Sequence, residues 1–317
     1  MGMSFVKLLM RSPNHLLRKL FGMPPNAIPA SGAPKSTIAA LGGPLFATPA
    51  LAALVLTALI AGAGPAHPAA AGRARFTIYV AGDSTASIYD STLAPRTGWG
   101  QALPVFAGRG VQIQDAALSG ASSKSFADLG LLDAILSTIS PGDYLLISFG
   151  HNDEKADVAR HTDPYTTYQE YLRRYIDGAR LRGAHPILVT SVERRRFDAD
   201  GHALLSHGEY PEAMRQLGAA DHVPVIDLTT SSRALWESLG PEGTKDAFLW
   251  LDPLENPNYP DGVEDNTHFQ AHGAIEVARL IALDLHRQHL LPPGSLVGLR
   301  RPLIPDTAIV WPALTTS

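Results

Sequence analysis

The 317-residue sequence contains no cysteine, which excludes disulfide bonds and thiolate metal ligands. The net charge is also small, since 26 Lys and Arg side chains nearly balance 30 Asp and Glu side chains and leave a formal charge of -4. No long basic run is present, so we expect no nucleic acid as a partner. No segment recurs at a fixed period, which argues against a solenoid or a propeller.

The Gly-x-Ser-x-Gly pattern of the α/β-hydrolase nucleophile is absent as well. Any nucleophilic serine must therefore be presented by a different turn. The sequence contains 12 histidines, but their spacing does not resemble a set of metal ligands, and we expect neither a metal ion nor a cofactor. The histidines considered are His151, His161, His202, His207 and His272.

An uncharged apolar run occupies residues 50–61, and Ala69 to Ala71 supply small residues before Gly72. This combination is typical of a signal peptide and its cleavage site. We predict that residues 1–71 are an export signal with a long basic n-region before the apolar run. The remainder is then secreted or periplasmic. An uncleaved membrane anchor is the alternative, because the apolar stretch counted from Leu45 approaches the ~20 residues that cross a bilayer.

After Arg75 the sequence alternates between short aliphatic runs and amphipathic stretches of helical length. This alternation predicts an α/β fold, in which a five-stranded parallel sheet is covered by helices on both faces. We predict one domain over residues 72–291 and a C-terminal tail over residues 292–317, to which we assign no role. The predicted strands are Phe76–Ala81, Val111–Ala117, Tyr144–Phe149, Pro186–Val192 and Val223–Leu228.

Two helices are predicted from apolar residues at helical spacing. One covers residues 168–179, and the other follows Gly273 and ends before Pro292. The stretches 194–210 and 241–264 are rich in Gly, Pro, Asp and His. We predict that both are long loops, which in a compact domain often carry function.

Polar residues are concentrated where the predicted strands end. The first strand runs into Gly82-Asp83-Ser84, the second into Leu118-Ser119-Gly120 and the third into Gly150-His151-Asn152-Asp153. A further segment, Asp265-Asn266-Thr267-His268, precedes the last helix. Because ligands bind beyond the carboxyl ends of parallel strands, we expect these four segments to form one site.

These segments contain every group that acyl transfer requires. We predict Ser84 as the nucleophile, His268 as its base and Asp265 as the carboxylate that orients the imidazole, the last two held by a single loop. The backbone amides of Ser84 and Gly120 and the side-chain amide of Asn152 are the predicted oxyanion donors. Each segment alone has a purely structural alternative, such as a turn or a helix cap. Their joint occurrence at one sheet edge favours catalysis.

The same segments resemble the SGNH (GDSL-type) hydrolase superfamily, and most closely the rhamnogalacturonan acetylesterases. The resemblance implies a flavodoxin-like three-layer α/β/α sandwich, a metal-free Ser-His-Asp mechanism and removal of acetyl groups from pectic polysaccharide. Asp115 stands where such proteins usually carry Asn, and Ala121 where an Arg is common, which leaves the exact sugar open. The motifs that carry the resemblance are Val80–Thr85, Gly98–Gly100, Phe149–Asp153 and Asp265–Phe269.

The expected partner is thus an acetylated polysaccharide or oligosaccharide bound by a monomer. A xylan or short-chain lipid esterase, and a non-catalytic carbohydrate-binding protein, are the alternatives. Trp99, Trp250 and Tyr259 are candidates to stack on sugar faces, with anchoring in the core or a loop as the alternative for each. Arg194 to Arg196 are candidates to pair with uronate carboxylates, with a solvated face as the alternative.

Overall fold

The structure is a computed structural model that describes residues 75–314. The predicted export signal, residues 1–71, lies outside the described residues. Within them, no helix combines the length and the apolar character needed to cross a membrane.

A five-stranded parallel sheet forms the centre of the fold. Its strands are β1 (Phe76–Gly82), β2 (Val111–Asp115), β3 (Tyr144–Ser148), β4 (His185–Val189) and β5 (Val225–Ile226). The order across the sheet is β2-β1-β3-β4-β5, which is the flavodoxin-like order. The five predicted strands are confirmed, although β5 is much shorter than its apolar run.

Helices cover both faces of this sheet. They are α1 (Trp99–Ala102), α2 (Ser123–Asp128), α3 (Leu131–Thr138), α4 (Gln169–Leu181), α5 (Tyr210–Ala220), α6 (Leu228–Gly243) and α7 (Ala271–Arg287). Side chains of β1 alternate between two cores: Ile78 and Val80 pack with α1, α6 and α7, whereas Tyr79 and Ala81 pack with α2 to α5. The predicted three-layer α/β/α sandwich is therefore confirmed.

Both predicted helices exist. α4 is extended at its beginning by a π-helical turn, Pro164–Tyr168, and it buries Leu172, Tyr175 and Ile176. α7 ends at Arg287, before the prolines that were expected to stop it. The buried side chains of α7 pack in the core beside β1. α7 therefore fixes the position of the Asp265 to His268 segment that precedes it.

A two-stranded antiparallel sheet overlaps the region 241–264 that was predicted to be a loop. Its strands are β6 (Phe248–Leu251) and β7 (Val263–Phe269). The loop prediction for residues 241–264 is therefore wrong in part. β6 is apolar but short, and the sequence of β7 is too polar to be distinguished from a loop. Residues 194–209 are irregular, apart from an isolated bridge between Phe197 and Ala203.

The residues after 291 are part of the domain. Ile304 and Ile309 are buried in the core that contains α7. The amide of Gly108 donates to the Ser295 carbonyl over 2.8 Å, and the amide of Val297 donates to the Phe106 carbonyl over 2.9 Å. The boundary predicted at residue 291 is therefore wrong, since residues 292–314 pack on the sandwich rather than forming a separate tail.

Candidate active site

Ser84 lies directly beyond the carboxyl end of β1. The Asp83 carboxylate accepts hydrogen bonds from the Thr85 amide over 2.9 Å and from the Thr85 hydroxyl over 2.8 Å, which closes the turn around Ser84. The Tyr89 hydroxyl donates to the Ser84 carbonyl over 2.5 Å. These contacts hold the backbone of Ser84 in place from both sides, so the hydroxyl is presented without an α/β-hydrolase elbow.

Two hydrogen bonds connect Ser84, His268 and Asp265 in a chain. His268 Nε2 lies 2.9 Å from Ser84 Oγ, and His268 Nδ1 lies 2.7 Å from Asp265 Oδ2. In this arrangement Nδ1–H donates to the carboxylate, so Nε2 is free to accept the serine proton. The structure therefore brings together the three side chains that were predicted as nucleophile, base and orienting carboxylate.

A bulge in β7 brings Asp265 and His268 together. Phe248 pairs with Phe269, but the next residue of β6, Leu249, already pairs with Asp265, so residues 266–268 bulge out of the ladder. Bulges of this kind re-aim side chains next to active sites. The sequence pattern predicted a loop before a helix for this pair, whereas the structure places it on a bulged strand.

Hydrogen bonds keep the Asp265 carboxylate ionised. Burial alone would raise its pKa, but the bond from His268, the positive charge of that side chain and the backbone amides of Thr267 and His268 outweigh burial and lower the pKa to about 2. The two amides donate to Asp265 Oδ1 over 2.8 and 3.0 Å. Asp265 is thus ionised at neutral pH and can stabilise an imidazolium.

The predicted oxyanion donors lie along one edge of the sheet. The Leu118 amide donates to the Gly82 carbonyl over 3.0 Å, which joins the end of β1 to the Gly120 segment. Asn152 Nδ2 donates to the Ala121 carbonyl over 2.9 Å, which joins that segment to the end of β3. Within residues 75–314 the amides of Ser84 and Gly120 have no hydrogen-bond partner.

Asn152 and Gly120 are each held by local structure. Asp153, next to Asn152, is buried and accepts hydrogen bonds from the amide of Ser123 and the hydroxyl of Thr162, both over 3.1 Å. Gly120 has φ +83°, a left-handed conformation that glycine adopts without penalty. One amide hydrogen of Asn152 remains available, so all three predicted donors are free to bind an oxyanion.

His151 is a buried side chain beside this site for which the sequence analysis found no role. Its ring is 4.1 Å from that of His207, and neither of its nitrogens has a hydrogen-bond partner within the described residues. Burial lowers its pKa well below the usual value, and positive charges on His207, Arg194 and His268 lower it further. A neutral His151 therefore adds no positive charge that would oppose protonation of His268.

The three aromatic residues predicted to bind sugar have different positions. Trp99 is fully buried in the core, so that prediction is wrong: the flanking glycines pack against the Ala86 backbone and Asp115, and the indole fills the interior. The Trp250 ring is stacked with Arg195 at 4.4 Å and with Lys245 at 5.0 Å. Its role and that of Tyr259 in sugar binding stay predictions.

The hydroxyl of Tyr259 anchors a loop, because it donates to the Leu93 carbonyl over 2.9 Å.

Two of the three arginines predicted to pair with uronate carboxylates already have partners in the described residues. Arg194 pairs with Glu154 over 2.6 Å. Arg195 donates to Asn266 Oδ1 over 3.1 Å and to the Pro241 carbonyl over 2.6 Å. Arg194 is therefore paired with a carboxylate, whereas Arg195 is held by an amide oxygen and a loop carbonyl and its Nε has no partner in the described residues.

No group of three or more His, Asp or Glu side chains in residues 75–314 is arranged to hold a metal ion. The chemistry that this site can perform with its own groups is attack by a serine hydroxyl on a carbonyl carbon, with an imidazole as the base.

Residues 80–274 match the GDSL-like lipase/acylhydrolase family. The chain is 50% identical over 205 residues to rhamnogalacturonan acetylesterase RhgT of Bacillus subtilis, covering 65% of this chain and 87% of that protein. It is 42% identical over 225 residues to the probable rhamnogalacturonan acetylesterase YesY of the same organism, covering 70% of this chain and 98% of that protein.

The fold is also similar to the crystal structure of protein YxiM from Bacillus subtilis. That comparison has a TM-score of 0.58 at 30% identity and covers 69% of this chain and 58% of that chain. The resemblance drawn from the sequence motifs is thereby confirmed. The chain belongs to the GDSL-like lipase/acylhydrolase family and is a carboxylic ester hydrolase.

Proposed function

We propose that this protein is an exported carbohydrate acetylesterase that removes acetyl groups from pectic polysaccharide, with Ser84, His268 and Asp265 as its catalytic residues. The observation that carries the proposal is the hydrogen-bonded chain from Ser84 Oγ to His268 and on to Asp265, at 2.9 and 2.7 Å. The 50% sequence identity to a protein named as a rhamnogalacturonan acetylesterase supports the choice of substrate.

In the proposed first step, Ser84 Oγ attacks the acetyl carbonyl while His268 Nε2 takes the hydroxyl proton. The ionised Asp265 stabilises the imidazolium that forms. The amides of Ser84, Gly120 and Asn152 donate to the oxyanion of the tetrahedral intermediate. His268 then gives its proton to the departing sugar oxygen, which leaves the free hydroxyl of the sugar and an acetyl group on Ser84.

In the second step water replaces the sugar. Neutral His268 removes a proton from water as it attacks the acetyl-serine, and returns a proton to Ser84 Oγ when acetate leaves. Both steps begin with an unprotonated imidazole, because Nε2 of His268 must accept a proton each time. The neutral, buried His151 adds no positive charge beside the imidazolium that His268 forms when it takes a proton in each step.

Export is proposed from the sequence of residues 1–71, whose apolar run and small-residue cleavage site are typical of a signal peptide. An acetylesterase that acts on a cell-wall polymer must reach that polymer outside the cell, so this location fits the proposed substrate. Sequencing the amino terminus of the mature protein would test the cleavage: a terminus near residue 72 supports it, and an intact residue 1–71 segment favours an anchor.

The proposed activity is tested by measuring acetate release from acetylated rhamnogalacturonan, acetylated xylan and p-nitrophenyl esters of different chain length. We expect release from the pectic polymer by the wild type and none by Ser84→Ala. Ser238→Ala is a matched control, because Ser238 is exposed on α6. A preference for long-chain esters, or for xylan, would contradict the proposed substrate, and an active Ser84→Ala variant would contradict the mechanism.

A further inference from the structure

Arg96 carries a positive charge without a counter-ion in the described part of the chain. Its Nε is buried and has no hydrogen-bond partner, and no carboxylate of residues 75–314 lies within ion-pair distance of its guanidinium. Arginines near protein surfaces usually satisfy their donors with carboxylates, carbonyls or water. A buried donor that is left unpaired is unfavourable. The two terminal nitrogens of the guanidinium are not among the buried unpaired atoms and make no hydrogen bond within residues 75–314, so their N–H groups can take an acceptor from a ligand.

Arg96 borders the residues that position the nucleophile and its base. Its Cζ lies 4.4 Å from the centre of the Tyr89 ring, and the hydroxyl of Tyr89 is bonded to the Ser84 carbonyl. The amide of the next residue, Thr97, donates to the Phe269 carbonyl over 3.0 Å. Arg96 is therefore flanked by the Ser84 segment on one side and by the end of the His268 strand on the other.

The charge of Arg96 also reaches the other wall of the site. Burial raises the pKa of Tyr259, the positive charge of Arg96 lowers it and the negative charge of Asp265 raises it. One phenol thus lies within electrostatic range of both the free cation and the carboxylate that orients His268.

The backbone of Arg96 is fixed. Its amide donates to the Leu93 carbonyl over 2.9 Å, and the indole of Trp311 donates to the Arg96 carbonyl over 3.0 Å. Tyr259 donates to the same Leu93 carbonyl. A cation that is already in position loses little freedom when it binds a ligand, which favours its use in recognition.

A cavity of about 890 Å³ on the β6–β7 hairpin has the opposite charge. Its walls carry one lysine, Lys245, against the carboxyl groups of Asp246, Asp252, Glu255, Asp261, Glu264 and Asp306. An anionic polymer is repelled from such a surface. A negatively charged chain that presents an acetyl ester to Ser84 is therefore expected to extend over Arg96 rather than into this cavity.

We propose that Arg96 binds the carboxylate of a uronic acid next to the acetylated position, and so selects uronate-containing sugar chains over neutral ones. The proposal rests on the proposed function, because it assigns part of the substrate to that site. A guanidinium suits this task because its planar fork forms two parallel hydrogen bonds with a carboxylate. Arg96 would be a specificity-determining residue and would take no part in the chemistry of the ester.

The test compares kcat/KM on acetylated rhamnogalacturonan oligosaccharides with kcat/KM on the same oligosaccharides after reduction of their carboxyl groups. The proteins are the wild type, Arg96→Gln, Arg96→Lys and the control Arg109→Gln, which removes an exposed arginine before β2. We expect Arg96→Gln to lower the ratio of the two values by about 10–100-fold, the usual worth of a charged hydrogen bond. Arg96→Lys should retain part of the preference, and Arg109→Gln all of it.

Salt gives a second readout. Wild-type activity on the anionic oligosaccharide is expected to fall as ionic strength rises, and this dependence should be weaker in Arg96→Gln. A ratio that Arg96→Gln leaves unchanged would overturn the proposal. If kcat/KM then falls equally on both substrates, Arg96 has a supporting role for Ser84. If the wild type releases no acetate from either oligosaccharide, the proposed function itself has failed.

Discussion

Replacing Asp115 by Asn is expected to stabilise the folded protein at neutral pH. The Asp115 carboxyl is buried at the end of β2, where Oδ1 accepts a hydrogen bond from the Ala117 amide over 2.9 Å and Oδ2 has no partner in the described structure. Burial raises its pKa from 3.8 to about 8, and the Ala117 bond offsets only part of this rise. The carboxyl is therefore protonated in the folded protein and ionised in the unfolded chain at pH 7.

The sign of the effect follows from proton binding. Between the two pKa values the folded state binds more protons at this group than the unfolded state, so stability falls as pH rises. Each pH unit is worth about 1.4 kcal/mol, and Asp115 therefore costs about 4 kcal/mol at pH 7 relative to a neutral side chain. The cost vanishes below pH 3.8 and is complete above about pH 8. Asn keeps the acceptor for Ala117 and cannot ionise.

Urea unfolding of the wild type and Asp115→Asn at pH 5 and pH 7 measures this difference. The advantage of the variant is expected to grow by about 3 kcal/mol between these two pH values. Asp133→Asn removes an exposed carboxylate from α3 and controls for the change in net charge. An advantage of Asp115→Asn that stays constant with pH would refute the reasoning, because it would show that Asp115 does not take up a proton on folding.

Three other substitutions test the site and its support. Asp265→Asn should lower kcat on p-nitrophenyl acetate by about 10³–10⁴-fold with an unchanged circular dichroism spectrum, because the amide favours the wrong imidazole tautomer; near-normal kcat would exclude the assigned role. Gly120→Ala should lower the free energy of unfolding by about 1–2 kcal/mol, owing to its φ of +83°, and a stabilised variant would contradict this strain. Gly98→Ala should fail to fold or show a sharply lower Tm, since an added Cβ lies 2.3 Å from the Ala86 backbone; a wild-type Tm would contradict the packing.

The sheet could be predicted from the sequence because its strands are buried on both faces and are therefore continuously apolar. β3 is the clearest case, since each of its five residues is buried. The positions of Ser84, Gly120 and Asn152 followed from the same pattern, because polar residues directly after such strands must lie at one edge. His268 and Asp265 were identified by their spacing, and the register shift that joins them became visible only in the hairpin.

The remaining features depend on contacts between distant parts of the chain. β6 has only four residues and β7 is largely polar, so neither has a pattern that distinguishes it from a loop. Residues 292–314 join the core through isolated side chains such as Ile309. Trp99 was expected at the mouth because aromatics bind sugars, yet its neighbouring glycines serve close packing of a buried indole. Arg96 belongs to no motif, and its free charge emerges only from the absence of a partner in the described fold.

The central claim is that Ser84 is the nucleophile and that His268 activates it. Labelling with a fluorophosphonate, which forms a stable adduct with activated serines, tests this claim most directly when it is followed by peptide mass spectrometry and residual activity. We predict a single adduct on Ser84, formed in proportion to the activity lost and much more slowly in His268→Ala. Loss of activity with Ser84 unmodified, or an adduct on another serine, would contradict the account.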